Sequence, residues 1–281
     1  MKKTDQKQAT LNLKEKAGLK LYMIDMHSHI LWDMDDGAAS QKESLSMAAI
    51  ALEEGIGTIV ATPHCIDEQD IEAFAGKVKQ RCNSLQKALN DKKIPLNIIP
   101  GAEIYIAPDI LERPGLNKLT IGDSRYILVE MPMGEVPRYA EDFLYHLKLK
   151  GFTPIIAHPE RNRGIIENPN ILARFIDLGS LTQINTGSIS GFFGPKVQES
   201  ARILITHNMG HVLGTDAHSN GRRGPYIKQA VEFLYSWLDK DSADKIIYHN
   251  PEMVLSGNML SVDAPIEYRP RKGIFSFFKR R

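Results

Sequence analysis

The stretch LYMID at residues 21–25, followed at once by His27 and His29, is an apolar run of strand length that leads into groups able to ligate a metal. Six further runs have the same character: GTIVAT (57–62), LNIIPG (96–101), RYILVE (125–130), TPIIAH (153–158), LTQIN (181–185) and HVLGT (211–215). Their length, β-branched content and flanking Gly or Pro read as strands. The stretches between them read as amphipathic helices at 42–54, with Ser40 as N-cap, and near 69–91, 138–150, 168–178, 195–207 and 225–249. Residues 104–124 are less regular. Strands that alternate with helices pair in parallel through right-handed crossovers. The expected class is α/β, as a seven-stranded relative of the (β/α) barrel, with a doubly wound open sheet as the competing topology.

A chain of 281 residues, 42% hydrophobic and 25% charged, can build one large α/β domain or two small ones. No linker, repeat or low-complexity insert interrupts 20–262, so this span reads as one domain. Residues 1–19 form a polar, Lys-rich arm. Residues 263–281 (DAPIEYRPRKGIFSFFKRR) combine four Arg, two Lys and three Phe. This tail reads as disordered or, more sharply, as a docking segment for a membrane surface or another subunit. With 35 Lys plus Arg against 34 Asp plus Glu, the net charge of +1 gives the whole chain no electrostatic reason to bind nucleic acid. Two cysteines, Cys65 and Cys82, make no disulfide framework and no CxxC. No apolar leader and no long apolar run is present, and the expected location is cytoplasmic.

In barrel enzymes the catalytic groups sit at the C-terminal ends of the strands. Here strand one carries Asp25 and is followed by His27 and His29. The later strands lead in turn to His64, Glu103, Glu130, His158, Asn185, and finally Asp216 with His218. Six of the seven strands thus bring a His, Asp or Glu to one face, and five of the chain's nine histidines lie there. In His27-Ser28-His29 and Asp216-Ala217-His218, side chains two apart on an extended segment point the same way. Imidazole with carboxylate suits Zn²⁺, Mn²⁺ or Fe²⁺, and the absence of ligand cysteines favours open positions over a closed structural site. Several such ions a few Å apart acidify water and clamp a phosphoryl group.

The loop Asp33-Met34-Asp35-Asp36-Gly37 is a turn by composition, with Asp36 the better candidate for a further ligand. Arg161, three residues after His158, and Arg222 and Arg223, just after His218, are suited to hold phosphate. Cys65 beside His64 is not read as a nucleophile. The Cys-x5-Arg loop of cysteine phosphatases is absent, because Ile71 and Ala88 stand six residues after the two cysteines. His146, His207, His211 and His249 are read as structural or exposed.

MIDMHSHI (23–30), Thr62-Pro63-His64, AHPER (157–161) and Asp216-Ala217-His218 resemble the four motifs of the polymerase and histidinol phosphatase (PHP) superfamily. MIDMHSHILWDMDDG (23–37), GAEIY (101–105), DSRYILVE (123–130) and PIIAHPER (154–161) resemble more closely its bacterial protein-tyrosine phosphatase branch, found in capsule and exopolysaccharide operons. The resemblance covers about residues 21–257. It implies a distorted (β/α)7 barrel with a trinuclear site, commonly manganese-dependent, with Fe, Zn or Co as alternatives. It matches His27, His29, Asp36, His64, Glu103, His158, Asp216 and His218 to ligand positions. Arg161 matches the phosphate-binding arginine and Arg222 or Arg223 a second one, while Glu130 occupies a strand-end position for catalysis or support. The implied substrate is phosphotyrosine on the tail of a polysaccharide-assembly tyrosine kinase. The arm and tail depart from the shorter family pattern and leave room for an oligomer. Two other functions fit the same residues: a small-molecule phosphatase of the histidinol phosphate type, and a regulatory module that holds metal while the tail docks a partner.

Overall fold

The computed structural model describes residues 22–66 and 70–270. The N-terminal arm and the last part of the basic tail lie outside the described residues. The strands are β1 (Met23–Ser28), β2 (Ile56–Ala61), β3 (His64–Cys65), β4 (Asn97–Pro100), β5 (Glu103–Tyr105), β6 (Tyr126–Glu130), β7 (Thr153–Ala157), β8 (Leu181–Asn185) and β9 (Val212–Gly214). All of their pairings are parallel, in the orders β1-β2-β4 and β3-β5-β6-β7-β8-β9. β2 with β3, and β4 with β5, are halves of single strands broken at Thr62-Pro63 and Gly101-Ala102. The ladder runs on across the breaks, where Gly101 N donates to Ala61 O at 2.9 Å and Glu103 N to Pro63 O at 3.1 Å. β9 returns to β1 through the bridge Ser28↔Ala217, with Asp216 N donating to His27 O (2.8 Å) and His29 N to Ala217 O (2.9 Å). The result is a ring of seven strands, a distorted (β/α)7 barrel; the open-sheet alternative is not what forms.

A buried acid reinforces this seam. The Asp25 carboxylate is fully buried and accepts hydrogen bonds from Thr215 N (2.8 Å) and Thr215 Oγ1 (2.6 Å). Burial raises its pKa to about 6, against the lowering effect of those bonds. Asp25 therefore ties the first strand to the last and does not reach the metal-competent face.

Met26, Val60, Leu128, Ile155, Leu181 and Val212 fill the barrel interior, and the larger apolar layer lies between the strands and the helices. Packing of both layers fixes which strand ends can be polar: below the top, the inward positions are apolar. The floor is closed by Tyr126 and Val254, and by residues 258–262. The Tyr126 hydroxyl donates to Asn258 O (2.7 Å) and accepts from Leu260 N (2.9 Å). Tyr126→Phe is expected to cost about 1 kcal/mol in urea unfolding, because the buried ring loses both of its hydrogen bonds to the 258–262 segment. An unchanged midpoint would show that the floor does not depend on this hydroxyl.

The outer helices are α1 (Gln41–Glu53), α2 (Ile71–Asp91), α3 (Ala140–Leu149), α4 (Arg163–Glu167), α5 (Asn170–Asp177), α6 (Thr186–Ile189), α7 (Pro195–Thr206), α8 (Lys228–Trp237), α9 (Lys240–Asp244) and α10 (Asn250–Leu255). Ser40 caps α1, accepting from Glu43 N at 3.2 Å, as its position before the apolar periodicity requires. The span 225–249 is not one helix. Leu238 turns extended, Asp239 caps a new start by accepting from Ser242 N (3.0 Å), and a π-helical turn at Lys245–His249 leads into α10. Residues 263–270, read from sequence as the start of a tail, lie along the barrel. Ile266 N donates to His207 O (2.9 Å), and Asn170 exchanges two hydrogen bonds with the Tyr268 backbone (2.8 and 3.0 Å). No helix of the described residues is long and apolar enough to cross a membrane.

Candidate metal centre

All eight sequence-derived ligand candidates converge at the top of the barrel, around Glu103. Its Oε1 lies 3.0 Å from His158 Nε2, and its Oε2 lies 3.2, 3.3 and 3.0 Å from His27 Nε2, His29 Nε2 and His64 Nδ1. Asp216 Oδ1 stands 3.8 and 3.5 Å from the Nε2 atoms of His27 and His29. Asp36 Oδ1 stands 3.6 Å from His64 Nε2 and 3.3 Å from His218 Nε2. Four overlapping groups each place their ligand atoms within 4.8 Å of one another: His29-Asp36-His64-His218, His27-His29-Asp216, His27-Glu103-His158 and His64-Glu103-Glu130. Glu130, at the end of β6, is thus brought into the same cluster.

The backbone is bent to achieve this. A register shift between Asp25 and Ser28 turns His27 and His29 toward the cluster. His158 (φ 31°) and Asp216 (φ 52°) both adopt left-handed backbone, a conformation that non-glycine residues hold only when their surroundings impose it.

The surroundings settle which imidazole nitrogen faces inward. Gln183 donates from Nε2 to Asn185 Oδ1 (2.8 Å), so its Oε1 is the atom that accepts from His27 Nδ1 (2.9 Å). His29 Nδ1 donates to Asp35 Oδ2 at 2.6 Å, and Asp35 also accepts from His64 N (2.8 Å) and Gly37 N (3.0 Å). Both Nε2 atoms, only 3.1 Å apart, therefore turn inward toward Glu103 Oε2. That oxygen, with His64 Nδ1, is buried without a hydrogen-bond partner. Inward lone pairs gathered around an orphaned carboxylate oxygen require a cation, either protons or metal ions. A metal fits this donor set, and outer carboxylates and amides that orient ligand imidazoles are what such sites use.

The electrostatics agree. Burial opposes charge on His29, but its bonds to Asp35 and Glu103 outweigh it and raise its pKa to about 10. Burial likewise opposes charge on Asp35, yet His29 holds its pKa down near about 2. Glu103 and Asp216 stay well below the ordinary carboxylate value despite burial, held mainly by His27 and His158. His218 is pushed down to about 4 by burial and by His29.

Asp216 Oδ2, on the side away from the imidazoles, accepts from Arg161 Nη1 (2.7 Å), Asn185 Nδ2 (2.9 Å) and Arg223 Nη2 (3.2 Å). The Arg161 guanidinium lies 4.4 Å over the Phe193 ring. Arg222 does not join this group; its guanidinium lies 5.4 Å over Phe192. Glu160, fully buried, accepts from Asn185 N at 3.0 Å and so sets the residue that steadies Asp216. Cys65 and Cys82 are both buried, and burial pushes the Cys82 thiol up to about 12.

Asp35, Gln183 and Phe193 were not singled out from sequence. Gln183 had a usable signal, because it lies two residues before Asn185 and so shares its face of β8.

The comparisons with known proteins fit this geometry. The model of the family "Capsular polysaccharide synthesis, CpsB/CapC" matches residues 23–256. The chain belongs to the CpsB/CapC family. Among CpsB/CapC relatives, the tyrosine-protein phosphatase YwqE of Bacillus subtilis is 37% identical over 260 residues, covering 91% of this chain and 100% of that protein. The tyrosine-protein phosphatase CpsB of Streptococcus pneumoniae is 32% identical over 244 residues, covering 85% of this chain and all of the relative. A solved structure from work on YwqE of B. subtilis and CpsB of S. pneumoniae, described as unique metal-dependent tyrosine phosphatases, superposes with a TM-score of 0.82 at 35% identity. It covers 88% of this chain and 100% of that one.

One position in this CpsB/CapC chain tests how tightly the cluster is packed. A Cβ on Gly214 would lie 2.6 Å from His27 Cβ and 2.7 Å from Gln183 Nε2. Gly214→Ala is expected to lower metal affinity roughly 10- to 100-fold by displacing a ligand and the amide that orients it. A metal titration with unchanged affinity would refute that packing.

Proposed function

We propose that this chain is a metal-dependent protein-tyrosine phosphatase that binds three divalent ions, with Mn²⁺ favoured. The observation that carries the reading is the convergence on Glu103 of imidazole nitrogens from three strands, beside two arginines held on Asp216. His27, His29, Asp36, His64, Glu103, His158, Asp216 and His218 would hold the ions, with Glu130 as a further carboxylate of the His64–Glu103 group. When bound, the ions lower the pKa of water and neutralise charge on the phosphoryl group.

The chain's own residues do the rest. Gln183 and Asp35 fix the tautomers of His27 and His29, which keeps Nε2 available as a ligand atom. Arg161 and Arg223 sit within reach of any anion that enters beside Asp216, and they would transfer donors from its Oδ2 to phosphate oxygens. Asn185 remains on Asp216 when they do so, which keeps that carboxylate in place.

The family relationship supports a phosphotyrosine substrate. The tail of a polysaccharide-assembly tyrosine kinase is the substrate we favour, and the cytoplasm the location. Comparing kcat/KM on a phosphotyrosine peptide and on histidinol phosphate tests the substrate class; a preference for histidinol phosphate would overturn it.

The raised pKa values of His27, His29 and His64 carry a signed consequence. Without metal His29 holds a proton at neutral pH, the carboxylates around His27 and His64 favour the protonated form of those rings in the same direction, and a ligand nitrogen must lose its proton. Mn²⁺ loading at pH 7 is therefore expected to release protons, and affinity should fall as pH falls. Calorimetry in buffers of differing ionisation enthalpy reads the proton count. Zero release would contradict the ligand assignment.

A further inference from the structure

A cleft of about 410 Å³ opens directly from the metal centre, and its function is not accounted for by the ligands. Asp216 and Arg223 form its inner end, while Phe192, Tyr226 and Arg222 line the outer part. Its volume falls in the range of small-ligand sites, and it is much larger than a phosphoryl group needs.

The walls are held firmly. Phe193 packs its ring edge-to-face on Phe192, with centroids 4.9 Å apart, while its own face lies beneath Arg161. Phe192 is anchored by its backbone N–H, which donates to Gly187 O at 2.9 Å. The loop bearing Arg222 and Tyr226 is tied across the cleft by Thr186 Oγ1, which donates to Tyr226 O at 2.7 Å. Despite this anchoring, Phe192 remains 43% exposed and Tyr226 47% exposed. Two large aromatic rings left open to water beside a phosphate-binding end are a site for an apolar, planar group attached to an anion.

We propose that this cleft receives the phenol ring of the scissile phosphotyrosine, with Phe192 as its apolar wall and Arg222 as the cation at its rim, so that Phe192 selects aryl over alkyl phosphate esters. The assignment deepens the phosphatase reading and rests on it for the identity of the substrate. The continuity is what fixes the occupant. Arg223 and Asp216 border both the cluster and the cleft, so a phosphate held there has its ester substituent next to Phe192. Arg222, which does not reach Asp216, then serves the ring and not the phosphate.

The test is direct binding of phenylphosphonate and methylphosphonate to the Mn²⁺-loaded protein, in wild type, Phe192→Leu and Phe192→Ala, alongside turnover of a phosphotyrosine peptide. Wild type should prefer the phenyl ligand. Phe192→Ala should reduce that preference roughly three- to tenfold, with methylphosphonate binding unchanged and Phe192→Leu in between. An unchanged phenyl-to-methyl ratio, equal weakening of both ligands, or no binding of phenylphosphonate by wild type would overturn the proposal. Weakening of a phosphotyrosine peptide alone would place flanking residues in the cleft, which also overturns it. The two readings separate cleanly. A wild type that keeps the Phe192-dependent phenyl preference yet turns over no phosphotyrosine peptide refutes the phosphatase. Turnover with a Phe192-independent ratio refutes only the ring pocket.

Discussion

Glu103→Gln is expected to lower kcat/KM on a phosphotyrosine peptide by about 10³-fold or more, and to leave the protein with less bound metal. Glu103 is the hub of the cluster: one oxygen meets His158, and the other meets His27, His29 and His64 at 3.0 to 3.3 Å. An amide preserves the shape but removes the charge and places either a neutral oxygen or an N–H among imidazoles whose lone pairs point inward. Ion charge is worth several kcal/mol in a phosphoryl transition state, and roughly 4 kcal/mol corresponds to about three decades in rate. Metal content measured on the purified variant, with circular dichroism as the folding control, distinguishes a lost ion from a lost fold. A variant with full metal content and near-normal turnover would remove Glu103 from the centre.

Arg161→Lys is expected to reduce kcat/KM about 10²-fold, and Arg161→Ala by somewhat more. The guanidinium does two things at once that an ammonium cannot. It sits over the Phe193 ring at 4.4 Å and donates to Asp216 Oδ2 at 2.7 Å, so the fork is held in place before substrate arrives. Lysine retains the charge but loses both the stacking and the paired donors. Inorganic phosphate should weaken as an inhibitor in parallel, because it uses the same donors without any leaving group. Normal phosphate inhibition in Arg161→Lys would show that the phosphate rests elsewhere.

Much of the site was legible in the sequence because a parallel barrel gathers its strand ends. Once seven apolar runs are placed, His64, Glu103, Glu130, His158, Asp216 and His218 must arrive on one face, however far apart they are in the chain. The orienting groups were less legible because they depend on side-chain direction within a turn or a strand. Asp35 and Asp36 are adjacent, yet Asp35 turns inward to His29 while Asp36 stays 65% exposed and reaches His64 and His218 from the other side. Which carboxylate does which is decided by the hydrogen bond from Gly37 N to Asp35, a detail of the turn. Arg222 and Arg223 divide in the same way: adjacent in sequence, one lies over Phe192 and the other reaches Asp216. The break of the 225–249 span came from Asp239 competing as an N-cap, a local signal that apolar periodicity alone outweighed. The placement of 263–270 depends on hydrogen bonds to His207 and Asn170, which no local pattern encodes.

The most direct measurement is phosphate release from a phosphotyrosine peptide by chelator-stripped protein, before and after Mn²⁺ is restored, with His27→Ala treated identically. Activity that vanishes on stripping, returns with Mn²⁺ and stays absent in His27→Ala is the predicted result. Turnover that survives stripping, or near-normal turnover in the variant, would contradict a metal-dependent phosphatase centred on these residues.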